Sequence, residues 1–284
     1  MYKELKQFGK VKLNEPLSKH TTCKIGGVAH FFVSVLETDD LVKLLQYLDE
    51  QGQEYLIFGG GSNILPSDEV FEGVVVNIKT SNISIDEETV EVDAGVSTAK
   101  LAHETVKVGL TGFEWGGGIP GTIGGAVRGN AGAMGKEMKD DVTKVEVYRN
   151  GEVLEIKNID CLFEYRESLF KHNSDVVLRV WLQLKKSDSK EGMKKALEVL
   201  QYRTKTQPQG FSSSGCIFKN IQINNQQSKI KKGKSIPEEF LQKGIIPAGW
   251  LIDQVGLKGT TIGGATVSEK HANFIVGEKN VCAK

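Results

Sequence analysis

Eleven of the chain's 32 glycines fall between Gly109 and Gly135, a window of 27 residues. No G-X-Y period runs through it, so it is not collagen-like. Trp115, Ile119, Ile123 and Val127 are interspersed, so it is not a flexible linker either. Glycine at that density among apolar residues implies a backbone pressed close against something. A smaller cluster, Gly59-Gly60-Gly61-Ser62-Asn63, follows the short apolar run Glu54 to Phe58. Such a loop offers successive backbone N–H groups and two hydrogen-bonding side chains to an anion such as a pyrophosphate. Two loops of this kind make a cradle for a large dinucleotide. The plainer alternative is that both are structural turns.

Composition removes several other classes. A chain of 284 residues can bury a large core and usually forms about two domains. With 39% hydrophobic and 25% charged residues it is globular and not disordered. Its 36 Lys and Arg balance 36 Asp and Glu, which argues against a nucleic-acid partner. The lysine run Lys229 to Lys234 reads as a solvated loop, with phosphate binding as the lesser alternative. No uncharged apolar run approaches the roughly 20 residues of a membrane helix. Met1 to Lys12 is charged throughout and has no signal-peptide core, so a cytoplasmic protein is expected. Cys23, Cys161, Cys216 and Cys282 are scattered, as free thiols in a reducing compartment would be. The five histidines are isolated, so no metal site is expected.

Periodicity predicts an α+β fold. Leu41, Leu44, Leu45 and Leu48 predict an amphipathic helix over 38–51. Strands are expected over 54–58, 73–78 and 176–184. Hairpins are expected over 83–94 and over 142–156, the latter turning at Asn150-Gly151. Ser97 should cap a helix that Gly109 ends, and a further helix should run from Glu191 to Lys205. Helices and hairpins interleave without βαβ alternation. The polar stretch Lys185 to Lys190 is a plausible domain boundary. Thr122-Ile123-Gly124-Gly125-Ala126 recurs as Thr261-Ile262-Gly263-Gly264-Ala265, which suggests two similar tight turns.

The obvious nucleotide motifs fail. Gly116, Gly118 and Gly121 match G-x-G-x-x-G, but no apolar strand directly precedes them and Pro120 interrupts the loop. A phosphate loop of the G-x-x-x-x-G-K-[ST] type would need glycine at Asn130 and a hydroxyl at Glu137. No G-x-S-x-G elbow is present.

Longer motifs carry more. Phe58-Gly59-Gly60-Gly61-Ser62-Asn63-Ile64-Leu65, Gly118-Ile119-Pro120-Gly121-Thr122-Ile123-Gly124-Gly125-Ala126 and Asn130-Ala131-Gly132-Ala133 follow one another in order. Then come Tyr165-Arg166-Glu167-Ser168, Tyr202-Arg203, Gln207-Pro208 and Gly215-Cys216-Ile217-Phe218-Lys219-Asn220. Last is Val267-Ser268-Glu269-Lys270-His271-Ala272-Asn273-Phe274. Together these resemble the UDP-N-acetylenolpyruvoylglucosamine reductase family, and the short spacing from Tyr148 to Arg203 resembles its compact subtype.

The resemblance implies a vanillyl-alcohol-oxidase (PCMH) type FAD-binding fold of two subdomains, residues 1–66 and 67–190, with an α+β substrate domain over 191–284. It implies FAD as cofactor, NADPH as co-substrate, a UDP-sugar substrate and a monomer. The implied reaction reduces UDP-N-acetylglucosamine enolpyruvate to UDP-N-acetylmuramate for peptidoglycan. The lesser readings are another FAD oxidoreductase of the same fold and an impaired nucleotide-sugar binder. FAD contacts would come from Gly59, Gly60, Gly61, Ser62, Asn63, Ile119, Pro120, Gly121, Thr122, Gly124, Gly125, Asn130, Gly132 and Ala133. Arg166 would grip the substrate carboxylate, where negative charge builds. Cys216 stands where the family usually has a proton-donating serine, and a thiol with an ordinary pKa of about 8.5 can still donate. Tyr165, Arg203, Lys219 and Asn220 would line the substrate. Two departures accompany the match. Gly129 replaces a bulky apolar residue. The family also continues beyond Val276 to a strand bearing a catalytic glutamate. Neither Glu269 nor Glu278 matches that residue, so the chain is expected to lack this segment.

Overall fold

Two sheets share one apolar core, and the glycine-rich loops lie where the first sheet ends. In the computed structural model the described residues are 1–223, 236–277 and 281–283. The lysine run Lys229 to Lys234 and Glu278 lie outside them. The first sheet is built from β1 (Lys10–Pro16), β2 (Val28–Val35), β3 (Tyr55–Phe58) and β4 (Phe71–Ile78), in the order β1-β2-β4-β3. β1 runs antiparallel to β2, while β2 and β3 both run parallel to β4. A parallel pair needs a crossover, and the helix Thr38–Glu50 supplies it between β2 and β3. Its leucines at 41, 44, 45 and 48 are fully buried, and Asp39 and Asp40 sit favourably in its first turn.

The second sheet is antiparallel, with β5 (Ile83–Asp86) and β6 (Thr89–Asp93) at one side. Beyond β6 come the strands Val176–Gln183, Val142–Arg149 and Glu152–Lys157. Val33, Val76, Val92, Val147 and Val180 belong to one buried cluster, so alternate residues of both sheets face a common interior. The opposite face of the first sheet buries a smaller cluster of Leu17, Ala29, Phe32, Phe58 and Val75. Phe58 therefore anchors the strand end from which the Gly59 loop departs.

Most local expectations match the observed elements. Ser97 accepts a hydrogen bond from the Lys100 N–H at 3.1 Å and caps the helix Thr98–Lys107. Gly109, with φ +78°, turns the chain away at its end. Asn150 and Gly151 both have positive φ, as a type I′ hairpin turn requires. Strands β1 and β2 have no counterpart in the sequence expectations. The repeated Thr-Ile-Gly-Gly-Ala segment is corrected. Ile123–Arg128 is a short helix, whereas Gly263 and Gly264, with φ +55° and +83°, form a hairpin turn between Thr261–Ile262 and Ala265–Val267. Tertiary contact decides the difference. The N–H groups of Ile123 and Gly124 donate to Val96 and Ala94, and a Cβ on Gly124 would come within 2.9 Å of the Ala94 side chain.

The helix Ser189–Thr206 lies across the first half of the molecule. Gly192 faces Val106, and Val199 and Arg203 face Gly118. Beyond it come the helices Glu238–Lys243 and Ala248–Gln254. A three-stranded antiparallel sheet of Thr261–Ile262, Ala265–Val267 and Ile275–Gly277 follows.

One buried acid costs the fold stability. Asp141 is 9% exposed and its Oδ2 has no hydrogen-bond partner. Burial pushes its carboxyl up to about 6, which Lys136, 4.0 Å away, only partly opposes. The Trp115 indole N–H is near enough to help, yet it is out of hydrogen-bond geometry and itself unpaired. The unfolded carboxyl ionises near 3.9, so stability falls as pH rises from about 4 to 6 and is level above that. Asp141→Asn should therefore gain on the order of 1–2 kcal/mol at pH 7 and nothing below pH 4. Thermal melts at both pH values test this, and an equal gain at both would refute it.

Candidate functional site

The glycines of the two loops are pressed first against protein. A Cβ on Gly59 would lie 2.4 Å from the Thr122 hydroxyl, and one on Gly60 would lie 2.9 Å from the Gly121 Cα. Gly61 has φ +62°, and a Cβ there would lie 1.9 Å from the His20 carbonyl oxygen. Three segments thus interlock: 20–22, 59–62 and 120–122. Hydrogen bonds hold them together. Ser62 Oγ donates to the Pro120 carbonyl at 2.9 Å, and the Thr22 N–H donates to Gly61 at 3.0 Å. Thr98 donates to the Ile119 carbonyl through its hydroxyl and to Gly121 through its N–H. Asn77 Nδ2 donates to the carbonyls of Phe58 and Gly59.

Two buried oxygens in this knot lack a partner, Thr22 Oγ1 and Asn77 Oδ1. Buried polar atoms are rarely left so, and a bound polar group would satisfy them. Asn63 is exposed and makes no hydrogen bond among the described residues. The chemistry fits a dinucleotide: close backbone, small residues and unpaired hydrogen-bonding atoms at one strand end. Gly61→Ala should fail on both φ and space. We expect at least a tenfold weaker hold on a bound flavin and a stability loss of about 2 kcal/mol. Flavin retention through gel filtration checks it, and wild-type retention would count against the cradle.

Several of the expected cofactor contacts are committed elsewhere. Asn130 is fully buried, with Nδ2 donating to Glu137 Oε2 and the Glu164 carbonyl, and Oδ1 accepting from the Lys139 N–H. Its backbone N–H and carbonyl are taken by Val127 and Arg166. Asn130 therefore builds the loop, with its side-chain amide hydrogens and backbone N–H all committed to protein. Gly124 packs on Ala94, while Gly125 has space around it. Gly132 and Ala133 pair with Lys136 and Glu137, and the Gly132 carbonyl accepts from Arg166.

Arg166 sits in the turn Glu164 to Glu167, closed by two reciprocal backbone hydrogen bonds of 3.1 Å. Its φ of +57° is unusual for a non-glycine residue and costs about 1 kcal/mol. The turn aims the guanidinium at two carbonyls, Asn130 at 3.4 Å and Gly132 at 2.9 Å. It pairs with no carboxylate among the described residues. Arg203 likewise makes no ion pair there, and its stem rests against Gly118, where a Cβ would come within 2.3 Å. Burial pulls the Arg203 guanidinium down, and the Cys216 sulfur opposes that.

Cys216 joins these two cations. It is exposed to solvent, but surrounding protein crowds its sulfur and pushes the thiol up. The charges of Arg166 and Arg203 and the nearby Asn273 amide pull the other way. The remaining expected substrate residues are shared between the two halves. The Asn220 N–H donates to the Tyr165 hydroxyl at 3.3 Å. Lys219 Nζ lies 3.3 Å from Glu167 Oε2, and Asn220 Oδ1 accepts from the Ala248 N–H at 3.1 Å.

Thr22, Asn77 and Asn273 were not among the expected site residues. Only Asn77 carried a local signal, as a polar residue inside the apolar run Val74-Val75-Val76-Asn77-Ile78. A separate pocket lined by Gln46, Asp49, Tyr55, Tyr148 and Asn150 contains none of the expected residues, and Tyr148 donates to Asp49 there at 2.5 Å. Among the described residues no group of three or more His, Cys, Asp or Glu is placed to hold a metal, and no helix is long and apolar enough to cross a membrane.

Comparison with known proteins agrees with this geometry. An FAD binding domain model matches residues 29–157, and the model of the UDP-N-acetylenolpyruvoylglucosamine reductase C-terminal domain matches residues 207–284. The reductase of Caldanaerobacter subterraneus subsp. tengcongensis is 38% identical over 280 residues, covering 98% of this chain and 85% of the relative. That of Carboxydothermus hydrogenoformans is 40% identical over 268 residues, covering 93% and 81%. The crystal structure of the Thermus caldophilus enzyme superposes with a TM-score of 0.74 at 32% identity, covering 94% of this chain and 87% of that one. The fold and the glycine knot define a flavoprotein with a PCMH-type FAD-binding core and an added C-terminal domain. The chain belongs to the UDP-N-acetylenolpyruvoylglucosamine reductase family.

Proposed function

We propose that this chain holds FAD, takes electrons from NADPH and reduces the enolpyruvyl ether of UDP-N-acetylglucosamine to UDP-N-acetylmuramate, a peptidoglycan precursor. The observation that carries this reading is the pairing of Arg166 and Arg203 around Cys216. Two guanidiniums without carboxylate partners among the described residues suit an anionic substrate, and a protonated thiol within reach of both charges suits proton donation. Bound FAD would supply hydride to the terminal enol carbon. The loops around Gly59 to Asn63 and Ile119 to Thr122, with Thr22 and Asn77, would hold its polar groups.

Arg166 would then do two things. Its free N–H groups would fix the substrate carboxylate, and its charge would stabilise the electron density that moves onto that carboxylate as the terminal carbon becomes a methyl group. Cys216 would protonate the neighbouring carbon. A thiol pushed above its ordinary pKa remains protonated at neutral pH and can serve. Arg203 and Lys219 would neutralise the diphosphate, Lys219 exchanging Glu167 for phosphate oxygen. Tyr165 and Asn220 would line the same cleft. The proposal includes a monomer working in the cytoplasm, which sedimentation and cell fractionation test.

The decisive experiment is spectroscopic. The purified protein should carry the flavin absorbance band, lose it with NADPH under anaerobic conditions, and regain it on addition of the enolpyruvyl UDP-sugar. A flavin that is bleached but not regenerated by that substrate would overturn this function.

A further inference from the structure

We infer that Asn273 is the positioning residue for Cys216, clamping the loop that presents its sulfur to the substrate. This rests on the functional reading above. The loop carrying Cys216 has little else to hold it. Ile217 is 45% exposed and Phe218 60%, so neither is anchored by burial. Gly215, with φ +82°, precedes Cys216 and adds no side chain. Hydrogen bonds must therefore fix the loop, and Asn273 takes part in most of them.

Asn273 is only 3% exposed and lies just before the strand Ile275–Gly277. Its carbonyl accepts from the Ile217 N–H at 2.9 Å. Its Oδ1 accepts from the Phe218 N–H at 2.9 Å, and its Nδ2 donates to the Phe218 carbonyl at 2.8 Å. The side chain thus acts as one rung of a strand, satisfying donor and acceptor of the same residue. Phe274 bridges to Cys216 itself, so the pairing runs through the reacting residue. Asn273 is fixed in turn, because its own N–H donates to His271 Nδ1 at 3.2 Å.

The clamp sets where the Cys216 sulfur stands relative to the carbon it must protonate, and a positioned acid works only within hydrogen-bond reach of that carbon. Arg166 and Arg203 act on the thiol by charge and are also placed to bind substrate. Asn273 is buried behind the loop and reaches the chemistry through Cys216.

The test uses the flavin-loaded protein with Asn273→Asp and Asn273→Ala. Aspartate is isosteric and still accepts from the Phe218 N–H, but it cannot donate to the Phe218 carbonyl. Alkylation of Cys216 by iodoacetamide at neutral pH, read on its own peptide because Cys282 is also exposed, reports how firmly the crowded loop is held. In Asn273→Ala, which adds no charge, alkylation should be at least about threefold faster. Stopped-flow traces should show both variants slowing re-oxidation by the enolpyruvyl substrate at least about tenfold more than flavin reduction by NADPH. An unchanged alkylation rate in Asn273→Ala, or equal slowing of both half-reactions, overturns the inference. A wild-type flavin that the substrate fails to re-oxidise overturns the functional reading instead, and the alkylation rate is independent of that result.

Discussion

Arg166→Lys is expected to leave flavin reduction by NADPH within a few-fold of wild type and to slow re-oxidation by the enolpyruvyl substrate by about 10²–10³-fold. The reason is geometric. A guanidinium has five N–H groups in a rigid plane. Two are spent on the carbonyls of Asn130 and Gly132, which set its plane and leave the others for a carboxylate. A lysine ammonium at that position cannot hold both carbonyls and present a fork. The left-handed backbone at Arg166 would persist in the variant, because the turn is closed by backbone bonds between Glu164 and Glu167. The loss would therefore report charge and planarity, with the loop kept. The split between half-reactions is the readout. Equal slowing of both would mean that Arg166 supports the flavin cradle, and wild-type re-oxidation would remove it from the chemistry.

Much of this was legible in the sequence, and what was hidden has a common cause. The helix Thr98–Lys107 and the Asn150-Gly151 hairpin were readable because their signals are local: a capping hydroxyl, a terminating glycine, a positive-φ pair. Strands β1 and β2 were not, because β2 completes its sheet against β4, far off in the chain, and neither strand alternates cleanly in burial. The repeated Thr-Ile-Gly-Gly-Ala segment makes the same point, since one copy is helical only because Ala94 and Val96 take its first N–H groups. Within the site, the order of motifs named Arg166, Arg203 and Cys216, which the fold brings together. It could not show that Asn130 faces inward or that Asn273 clamps the Cys216 loop. Both facts depend on which of an asparagine's four hydrogen-bonding positions are filled, and only the folded arrangement fixes that.

The density of glycine also has a more definite physical meaning. Gly60 and Gly121 face each other, so each loop allows the other's approach. A side chain on either would separate segments that must meet for a single anion to contact both. The residues around the unpaired Thr22 and Asn77 oxygens would then be pulled apart as well. The cradle is therefore a property of the pair of loops, and neither glycine motif has the meaning alone that it has beside the other.

Replacement of Cys216 should separate proton donation from every other role of the site. Cys216→Ala should still allow NADPH to bleach the flavin, but re-oxidation by substrate should fall by about 10²–10⁴-fold, the usual contribution of a positioned acid. Cys216→Ser should retain substantial turnover, because a hydroxyl in the same place can donate. The pH profiles should differ in a definite direction. The wild-type donor must be protonated, and crowding pushes its thiol above the ordinary value. Activity should therefore hold at neutral pH and decline on the alkaline side, at a higher pH than an ordinary thiol with pKa near 8.5 would give. A serine hydroxyl does not ionise in that range, so the alkaline limb should disappear in Cys216→Ser. The two serine results test different things. Loss of turnover in Cys216→Ser would mean that thiol acidity itself is needed, whereas a retained alkaline limb would assign that titration to another group. Wild-type re-oxidation in Cys216→Ala would refute the donor assignment, and with it the reason for Asn273 to lie behind that loop.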